Sequence, residues 1–508
     1  MTTRLLTTIT ALRQLLAEQR EIGFVPTMGA LHQGHLSLIQ RARAENSCVV
    51  VSIFVNPLQF AVGEDYERYP RNLEADQALC AQAGVDVIFA PTPEALGLDR
   101  GQLTQVVPDK SLTEVLCGRS RVGHFTGVAT IVTMLLNIVR PHRLYLGQKD
   151  AQQLAIIQKL VADLCLPVEV IPCPTIREPN GLACSSRNLY LTAPERQIAS
   201  HLYRGLQRAQ SLFEKGVYDR SSLVAAVQQE VSAYPELQVE YIDLVDSTTL
   251  EPLQEISLGT SALLAIAAFI GKTRLIDNVI LHRRLPIIAI DGPAGAGKST
   301  VTSLVAKELG LLHLDTGAMY RAITLAVLQA GIDPQDTVSV AEIAARAKIE
   351  IRPTHPAQIL LNGIDVSQEI RSSAVTKAVA AIASQPAVRQ ILLSLQRSWG
   401  KRGGIVMEGR DIGTRIFPCA ELKIFLTASV AERAMRRYQQ LTQQGEVSDL
   451  ESLKQAIQER DLKDSTRPVS PLRQAEDAIR IDTDGLTVAK VVARIVNLYA
   501  ERTQLRAK

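Results

Sequence analysis

The stretch LPIIAIDGPAGAGKST, residues 285–300, decides the fold of the second half of the chain. An apolar run leads into a complete G-x-x-x-x-G-K-[ST] phosphate loop, and a helix-like run follows from Val301 to Leu309. Strand, glycine-rich loop and helix in this order direct backbone N–H groups and a helix N-terminus at one anion. We expect Lys298 to reach the β- and γ-phosphates of ATP and Ser299 to bind Mg²⁺. The residues expected to bind ATP here are Gly292, Gly295, Gly297, Lys298, Ser299 and Thr300.

More than half of the chain precedes this loop, although such a loop normally opens a domain. A chain of 508 residues is too long for one ordinary core, so several domains are expected. Hydrophobic residues make up 46% and charged residues 21% of the chain, as in a soluble globular protein. The net charge of +3 is small for this length and implies neither a nucleic acid nor an anionic membrane as partner.

The cysteines predict a reducing compartment. There are seven of them, an odd number, and none forms a C-x-x-C pair, so free thiols are expected. The N-terminus does not resemble a signal peptide, and the longest apolar run, residues 262–270, is far too short for a membrane span. We therefore expect a cytoplasmic protein.

A second nucleotide-type pattern lies near the N-terminus, in EIGFVPTMGALHQGH, residues 21–35. A helical run follows from Leu36 to Ala44, so the order is again strand, loop and helix. His32 and His35 form an H-x-G-H turn at the helix start, where imidazoles can donate hydrogen bonds to phosphate oxygens. A surface turn or half of a metal site is the alternative for an isolated H-x-x-H pair.

The segments that follow alternate between strands and helices, which is typical of an open α/β sheet. Residues 48–55 form a nearly continuous apolar run and end in NPLQF, residues 56–60. Another strand, residues 143–146, opens into GQKDAQQ, where Lys149 and Gln153 are four residues apart and can face one crevice. The polar groups of the later CSSRN segment, residues 184–188, suit a polyphosphate.

Together, PTMGALHQGH, FVNPLQF, GQKDAQQ and SSRNLYL resemble the pantothenate synthetase family over about residues 1–282. The resemblance implies a HIGH-type nucleotidyltransferase fold of Rossmann-like type, residues 1–175, and a small α+β lid domain, residues 176–282. It also implies that Gln59 and Gln153 hold pantoate, with Gln59 near the β-alanine site. The residues implied to contact ATP are Met28, Gly29, His32, His35, Gly147, Lys149, Asp150, Ile176, Cys184, Ser185, Ser186 and Arg187.

The implied reaction has two steps. The carboxylate of pantoate attacks the α-phosphate of ATP, which gives pantoyl adenylate and pyrophosphate, and the amine of β-alanine then displaces AMP. The catalytic residues would be His32, His35 and Lys149, which can stabilise charge that grows on the phosphate, with His35 as an acid or a phosphate-stabilising group. Members of the family need Mg²⁺, for which this half of the sequence reveals no side-chain ligand, and are usually dimeric, so a homodimer through this half is expected.

A class I aminoacyl-tRNA synthetase also uses an H-x-G-H turn, but it fits poorly. The sequence has no K-M-S-K-S-type loop, only Ser185-Ser186-Arg187, and too few residues precede residue 283 for an anticodon domain. A catalytically dead first half that only binds a nucleotide or a regulator is a second alternative. The presence of the histidines, glutamines and lysine named above argues against it.

The second half resembles the bacterial-type cytidylate kinase family across about residues 284–508, on the segments DGPAGAGKST, DTGAMYR, GRDIGT and ERDLKDSTR. We expect a P-loop nucleoside monophosphate kinase domain over residues 283–508, with an insert at about residues 337–395 that clamps the second substrate, and the pair Asn362-Gly363 predicts a type I′ hairpin inside it. Lys298 and Arg410 would be catalytic, and the substrate would be CMP or dCMP. The residues implied to bind it are Asp315, Arg321, Arg389, Arg410, Asp411, Arg460, Asp464 and Arg467.

Arg433, Arg436 and Arg437 lie on one helical face, and solvated surface charge is the alternative interpretation for Arg436 and Arg437. Cys419 stands where the family is expected to have an acidic residue, without an expected effect on catalysis. A P-loop switch or nucleic-acid ATPase would need basic stripes or interleaved aromatics, which a chain with 4% aromatic residues does not offer.

Overall fold

The computed structural model describes residues 3–61, 63–99, 103–352, 358–443, 449–466 and 470–507. The chain forms two compact units, each described by itself below. The first consists of Met1–Ser257 and Ser261–His282, and the second of Leu258–Thr260 and Arg283–Lys508.

The first unit contains a six-stranded parallel sheet. Its strands are β1 (Arg4–Leu6), β2 (Ile22–Thr27), β3 (Cys48–Ile53), β4 (Val87–Phe89), β5 (Arg143–Gly147) and β6 (Glu169–Cys173). Its helices are α1 (Ile9–Leu16), α2 (Gln33–Glu45), α3 (Leu73–Gln82), α4 (Lys110–Thr113), α5 (Cys117–Ser120), α6 (His124–Val139) and α7 (Ala151–Asp163).

The strand order is β1-β4-β3-β2-β5-β6, so the chain leaves β2 toward one edge of the sheet and later continues from β5 toward the other. In open α/β sheets, ligands bind beyond the carboxyl ends of the strands at such a reversal. The loops after β2 and β5 are those that carry the H-x-G-H turn and the GQKD segment.

Strand β3 explains why this sheet is buried on both faces. Val50 packs into one apolar cluster, together with Phe24 and Leu144, whereas Val49 and Val51 pack into another on the opposite face. Because successive side chains of a strand alternate, a continuous apolar run supplies both clusters.

The rest of the first unit has an antiparallel sheet and three helices, as the predicted α+β lid requires. Its elements are α8 (Ala193–Ala199), α9 (His201–Glu214), α10 (Arg220–Val231), β7 (Leu237–Asp246), β8 (Thr260–Ile270) and β9 (Thr273–Arg283). Leu206, Val227, Leu244 and Ile266 are fully buried in its core.

The second unit is built on a parallel sheet of order β11-β15-β10-β16-β17. Its strands are β10 (Ile287–Asp291), β11 (Leu312–Asp315), β12 (Ile349–Arg352), β13 (Gln358–Leu361), β14 (Ile364–Asp365), β15 (Ile405–Gly409), β16 (Leu422–Thr427) and β17 (Ile479–Asp482). Its helices are α11 (Lys298–Leu309), α12 (Thr316–Gln329), α13 (Thr337–Arg346), α14 (Ser373–Ala383), α15 (Pro386–Gly400), α16 (Val430–Gln443), α17 (Leu450–Thr466) and α18 (Val488–Ala507).

Strands β12, β13 and β14 form a separate antiparallel sheet within the predicted insert. The hairpin prediction is confirmed, because Asn362 and Gly363 both have positive φ angles, 52° and 84°, and Leu361 pairs with Ile364. The short edge strands β1 and β17 were not predicted, since each lacks a long apolar run.

Among the described residues, no single helix is long and apolar enough to cross a membrane. Helices α14 and α15 are long and apolar enough for a membrane span only when they are taken together, and the chain bends by 97° between them.

Candidate active sites

The loop after β2 is held in its conformation by a buried carboxylate. Gly29 and Ala30 both adopt positive φ angles, 86° and 50°. Asp76, a residue of α3 that is 2% exposed, accepts hydrogen bonds from the backbone N–H groups of Ala30 (2.9 Å) and Leu31 (2.8 Å). Sequence reasoning missed Asp76, because nothing near it in the chain marks its partner 46 residues away.

The two histidines of the turn hold each other at the start of α2. The Nδ1 atom of His32 accepts from the N–H of Gly34 (3.1 Å), and Nδ1 of His35 accepts from the N–H of His32 (3.3 Å). Their ring centroids lie 4.1 Å apart. Burial and the nearby charge of Lys149 lower the pKa of His32 to about 4, and burial and His32 lower that of His35 to about 3. Both rings are therefore neutral near pH 7, with their protons on Nε2.

An open cleft lies beside this turn. Its lining includes Lys149, from the turn after β5, and Gln153, from the first turns of α7, as the four-residue spacing predicted. Of the ligand residues predicted in this half, only Gly29 is absent from the lining. Those that line it are Met28, His32, His35, Gln59, Gly147, Lys149, Asp150, Gln153, Ile176, Cys184, Ser185, Ser186 and Arg187.

Gln59 is fixed on both its side chain and its backbone. Its Nε2 lies 2.9 Å from Sδ of Met28, and its Oε1 accepts from Asn56 (3.2 Å). Its carbonyl accepts from Nδ1 of His124 (2.6 Å) and from Arg121 (3.2 Å). Asn56, His124 and Arg121 also line the cleft and were not predicted.

The predicted CSSR cluster reaches the cleft, but its guanidinium already has a partner. Arg187 forms two hydrogen bonds of 2.8 Å with the carboxylate of Asp65. Burial acts to lower the pKa of Arg187, but the hydrogen bonds and the charge of Asp65 outweigh it, so the pKa is raised above its ordinary value. The hydroxyl of Ser186 lies 3.0 Å from that of Tyr69, and Ser185 accepts from the N–H of Arg187 (3.3 Å). The cluster is therefore ordered by Asp65 and Tyr69 as well as by its own turn.

In the second unit, the phosphate loop joins β10 to α11. Gly292 has a φ angle of 151°, and a Cβ there would lie 1.9 Å from the carbonyl oxygen of Leu426 on β16. The ammonium of Lys298 donates to the carbonyls of Gly292 (2.8 Å) and Pro293 (2.7 Å). Burial, with a smaller contribution from Arg410, lowers the pKa of Lys298 to about 7.

Acidic side chains lie at the same end of the sheet. Glu408, at the end of β15 and 3% exposed, accepts from Ser299 (2.8 Å) and lies 3.0 Å from Nε2 of His313. Asp291 accepts from the N–H groups of Ile412 (2.8 Å) and Gly413 (2.7 Å), and burial raises its pKa to about 6. Neither carboxylate was predicted. The described residues contain no group of three or more His, Cys, Asp or Glu side chains suited to a metal ion.

The predicted acceptor residues occur as pairs of opposite charge. Buried Arg389 donates to Asp411 (2.6 Å), Arg410 donates to Asp464 (3.0 Å), and Arg321 lies 3.5 Å from Asp315. Desolvation of its guanidinium and the charge of Arg410 lower the pKa of Arg460, with a smaller contribution from Arg321. These arginines therefore influence one another. Arg467, also predicted, lies outside the described residues.

One arginine of α16 differs from its neighbours. Arg433 is 3% exposed and donates to the carbonyl of Ala294 in the phosphate loop (3.1 Å) and to both carboxylate oxygens of Asp461 on α17. Arg437 is exposed and bonds only locally, to Gln440. The helical spacing predicted a shared face but could not distinguish these two environments.

Comparisons with known proteins match the two halves of the chain to two different enzyme families. The sequence model of the pantoate-beta-alanine ligase family matches residues 4–280, and that of the cytidylate kinase family matches residues 288–501. A bifunctional pantoate ligase/cytidylate kinase of Trichormus variabilis is 57% identical over 98% of this chain and 99% of its own, and one of Synechococcus elongatus is 55% identical over 95% and 93%. The crystal structure of pantothenate synthetase from Thermus thermophilus matches 54% of this chain and 98% of its own, with 45% identity and a TM-score of 0.52.

Proposed function

The chain belongs to the bifunctional pantoate ligase/cytidylate kinase family, and we propose how its residues divide between the two reactions. The chain is both a pantoate–β-alanine ligase and a cytidylate kinase, and both families use ATP. We assign residues 1–175 to the nucleotide-binding domain of the ligase and residues 176–282 to its lid. Residues 283–508 are the kinase, with its monophosphate-binding insert at about residues 337–395.

The observation that carries the ligase assignment is the pair of neutral imidazoles at the reversal of strand order. Because Nδ1 of His32 and Nδ1 of His35 accept backbone N–H groups, each ring can donate only through Nε2. Preorganised donors of this kind stabilise charge that develops on phosphate oxygens. Burial and His32 lower the pKa of His35 to about 3, so the ring is uncharged before ATP binds and its Nε2–H is free to donate to a phosphate oxygen. This supports the phosphate-stabilising role.

In the first step, a carboxylate oxygen of pantoate forms a bond to the α-phosphorus of ATP while the bond to pyrophosphate breaks. Lys149 and the two imidazoles face the phosphates, while Gln59 and Gln153, which line the same cleft, bind pantoate. In the second step, the amine of β-alanine attacks the acyl carbon and AMP leaves. The protein orients the reactants and excludes water, and no side chain forms a covalent intermediate.

In the kinase, the phosphates of ATP replace the loop carbonyls as partners of Lys298. The ammonium of Lys298 donates to the carbonyls of Gly292 and Pro293, so it already lies against the phosphate loop where those phosphates would bind. Arg321, Arg389, Arg410 and Arg460, with Asp315, Asp411 and Asp464, bind CMP or dCMP. Cations on both sides of the transferred phosphoryl group allow two anionic substrates to approach in line.

The fit of Mg²⁺ to the kinase rests on a hydroxyl and a carboxylate. Mg²⁺ prefers oxygen ligands and keeps waters and substrate phosphates beside one or two protein ligands. The hydroxyl of Ser299 would be the protein ligand, and Glu408, whose Oε2 lies 2.8 Å from that hydroxyl, would be an outer partner that holds a water of the ion. Mg²⁺ held there would neutralise charge on the phosphates of ATP.

We further propose that the protein is cytoplasmic, forms a homodimer through its ligase half and takes no nucleic acid as a partner. Free thiols support the first statement, since the seven cysteines, all in described residues, form no disulfide.

Two substitutions test the assignment of separate sites. His35→Ala is expected to lower the rate of pantothenate formation by at least about 100-fold and to leave CMP phosphorylation at the wild-type rate, whereas Lys298→Ala has the opposite effect. Both rates are measured on each purified variant. Loss of both activities from either substitution would contradict two independent sites.

A further inference from the structure

Strand β9 carries Asp277 and Asn278 side by side, and both side chains are buried, 3% and 7% exposed. The strand alternates between two apolar clusters. Leu275 and Leu281 pack into the core of the lid, whereas Ile276 and Ile280 pack against the cluster that contains Ala155 and Ile156 of α7. Adjacent residues therefore reach opposite faces of the strand.

On one face, Asn278 holds the turn that carries Lys149. Its Nδ2 donates to the carbonyl of Gln148 (3.0 Å) and to the carbonyl of Lys149 (2.8 Å). A carboxamide nitrogen has two hydrogens, so this one group can satisfy both carbonyls. The position of Lys149 in the nucleotide-binding domain is thus fixed by a residue of the lid.

On the other face, Asp277 holds the segment around Ile176. Its carboxylate accepts from both terminal nitrogens of Arg177, at 2.6 and 3.0 Å, and the guanidinium of Arg177 lies 3.5 Å from the ring centroid of Tyr203. The neighbouring carbonyl of Ile176 accepts from the N–H of Cys184 (2.9 Å). A bidentate pair of this kind fixes distance and orientation together.

The two residues are coupled, because the N–H of Asn278 donates to the carboxylate of Asp277 (2.8 Å). We propose that Asp277 and Asn278 are positioning residues of the ligase, by which one strand of the lid aligns the Lys149 turn with the Ile176–Cys184 segment for adenylate formation. The proposal rests on the proposed function of that site. Neither side chain lines the cleft that holds the two histidines, but both line an adjoining pocket together with Lys149 and Arg187. Their hydrogen bonds go to the Lys149 turn and to Arg177, so they act on the histidine cleft through the segments that they hold.

The test uses the full chain and measures adenylate formation as pantoate-dependent exchange of pyrophosphate into ATP. Asn278→Ala removes both donors, and Asn278→Ser retains one hydroxyl donor. Asn137→Ala, at an exposed asparagine of α6 that bonds only within its own helix, is the matched control. CMP phosphorylation by the same chain gives the concentration of active protein, and thermal unfolding reports on folding.

For Asn278→Ala we expect kcat for exchange to fall about 10- to 100-fold, since a displacement of about 1 Å at the reacting groups has effects of this size. KM for pantoate stays within about twofold because Gln59 and Gln153 are not held by Asn278. The kcat of Asn278→Ser is expected to lie between that of Asn278→Ala and that of the wild type. Asp277→Asn instead raises KM for ATP, because it loosens the Ile176 segment.

Exchange at the wild-type rate in Asn278→Ala would overturn the proposal. So would an equal loss in Asn278→Ser and Asn278→Ala that accompanies a lowered unfolding temperature, because the effect would then be purely structural. A wild-type protein without any exchange would instead refute the proposed ligase function itself, which distinguishes the two failures.

Discussion

The hydroxyl of Ser299 donates a hydrogen bond of 2.8 Å to Oε2 of Glu408, and Oε1 of the same carboxylate lies 3.0 Å from His313. A strand end and a helix start, 109 residues apart in the chain, thus meet at the phosphate loop. A buried carboxylate next to the hydroxyl of a phosphate loop suits the hydration shell of Mg²⁺.

Glu408→Gln is expected to raise the Mg²⁺ concentration needed for half-maximal kinase activity by about 10- to 100-fold, the usual effect of losing an outer partner of a metal. The amide keeps the volume but loses the charge. Kinase rates measured across a Mg²⁺ titration check this, with pantothenate formation as the internal reference. Glu350→Gln, at an exposed position of β12, is the control and should behave as wild type. An unchanged Mg²⁺ requirement in Glu408→Gln would contradict the proposed site.

His35→Ala should lower kcat of the ligase by about 100- to 1000-fold, the typical loss of one preorganised donor. The kcat of His35→Gln should be at least about tenfold higher than that of His35→Ala, because the carboxamide nitrogen of glutamine can donate a hydrogen bond where Nε2 does but cannot act as an acid. Steady-state rates of pantothenate formation by the two variants decide the question. If Gln were as inactive as Ala, proton transfer by His35 would be favoured.

Lys298 should take up a proton when ATP binds to the kinase. Its pKa of about 7 beside the loop carbonyls leaves about half of the amines neutral at pH 7, and the phosphates restore the charged form by raising that pKa. The uptake is largest above pH 7 and vanishes as the pH falls below about 6, where the amine is already charged. Calorimetric titrations in buffers of different ionisation enthalpy measure it, and Lys298→Arg, which stays charged, should lack it. Equal proton uptake by both proteins would contradict the lowered pKa.

Gly292→Ala should lower kinase activity by at least about 100-fold, because the added Cβ would lie 1.9 Å from the carbonyl oxygen of Leu426 and must displace the loop. Gly310→Ala is the matched control at the other end of α11. It also has a positive φ, 65°, but a Cβ there meets nothing within 4 Å. It should lower the free energy of unfolding by about 1 kcal/mol and leave the kinase rate unchanged. Denaturant unfolding and the CMP assay measure both quantities, and equal kinase rates in the two variants would refute the steric argument.

The parts that sequence reasoning predicted are those in which a contiguous segment carries both the structure and the chemistry. The loops around His32 and Lys298 each include their own strand end, glycines and helix start, so spacing alone placed them. The alternating clusters around Val50 follow in the same way from one apolar run.

The residues that sequence reasoning missed each act on a loop that is distant in the chain. Asp76 reaches back 46 residues to Ala30, and Asn278 reaches back 129 residues to Lys149. Each is an ordinary polar residue in its own helix or strand, and only the packing of one element on another gives it a partner. Burial separates Arg433 from Arg437 for the same reason, although the two share one helical face.

The neutral histidines have a consequence for the dependence of the two reactions on ionic strength. Salt screens attraction between charges, with a Debye length of about 10 Å at 0.1 M, but acts weakly on a hydrogen bond from an uncharged ring. The ligase cleft offers two uncharged Nε2–H groups beside the ammonium of Lys149 and the guanidinium of Arg187, which is already paired with Asp65. The kinase instead surrounds its phosphates with Lys298 and at least four arginines. Increasing salt should therefore weaken nucleotide binding more in the kinase than in the ligase, so that the ratio of pantothenate to CDP formed by one chain rises with ionic strength.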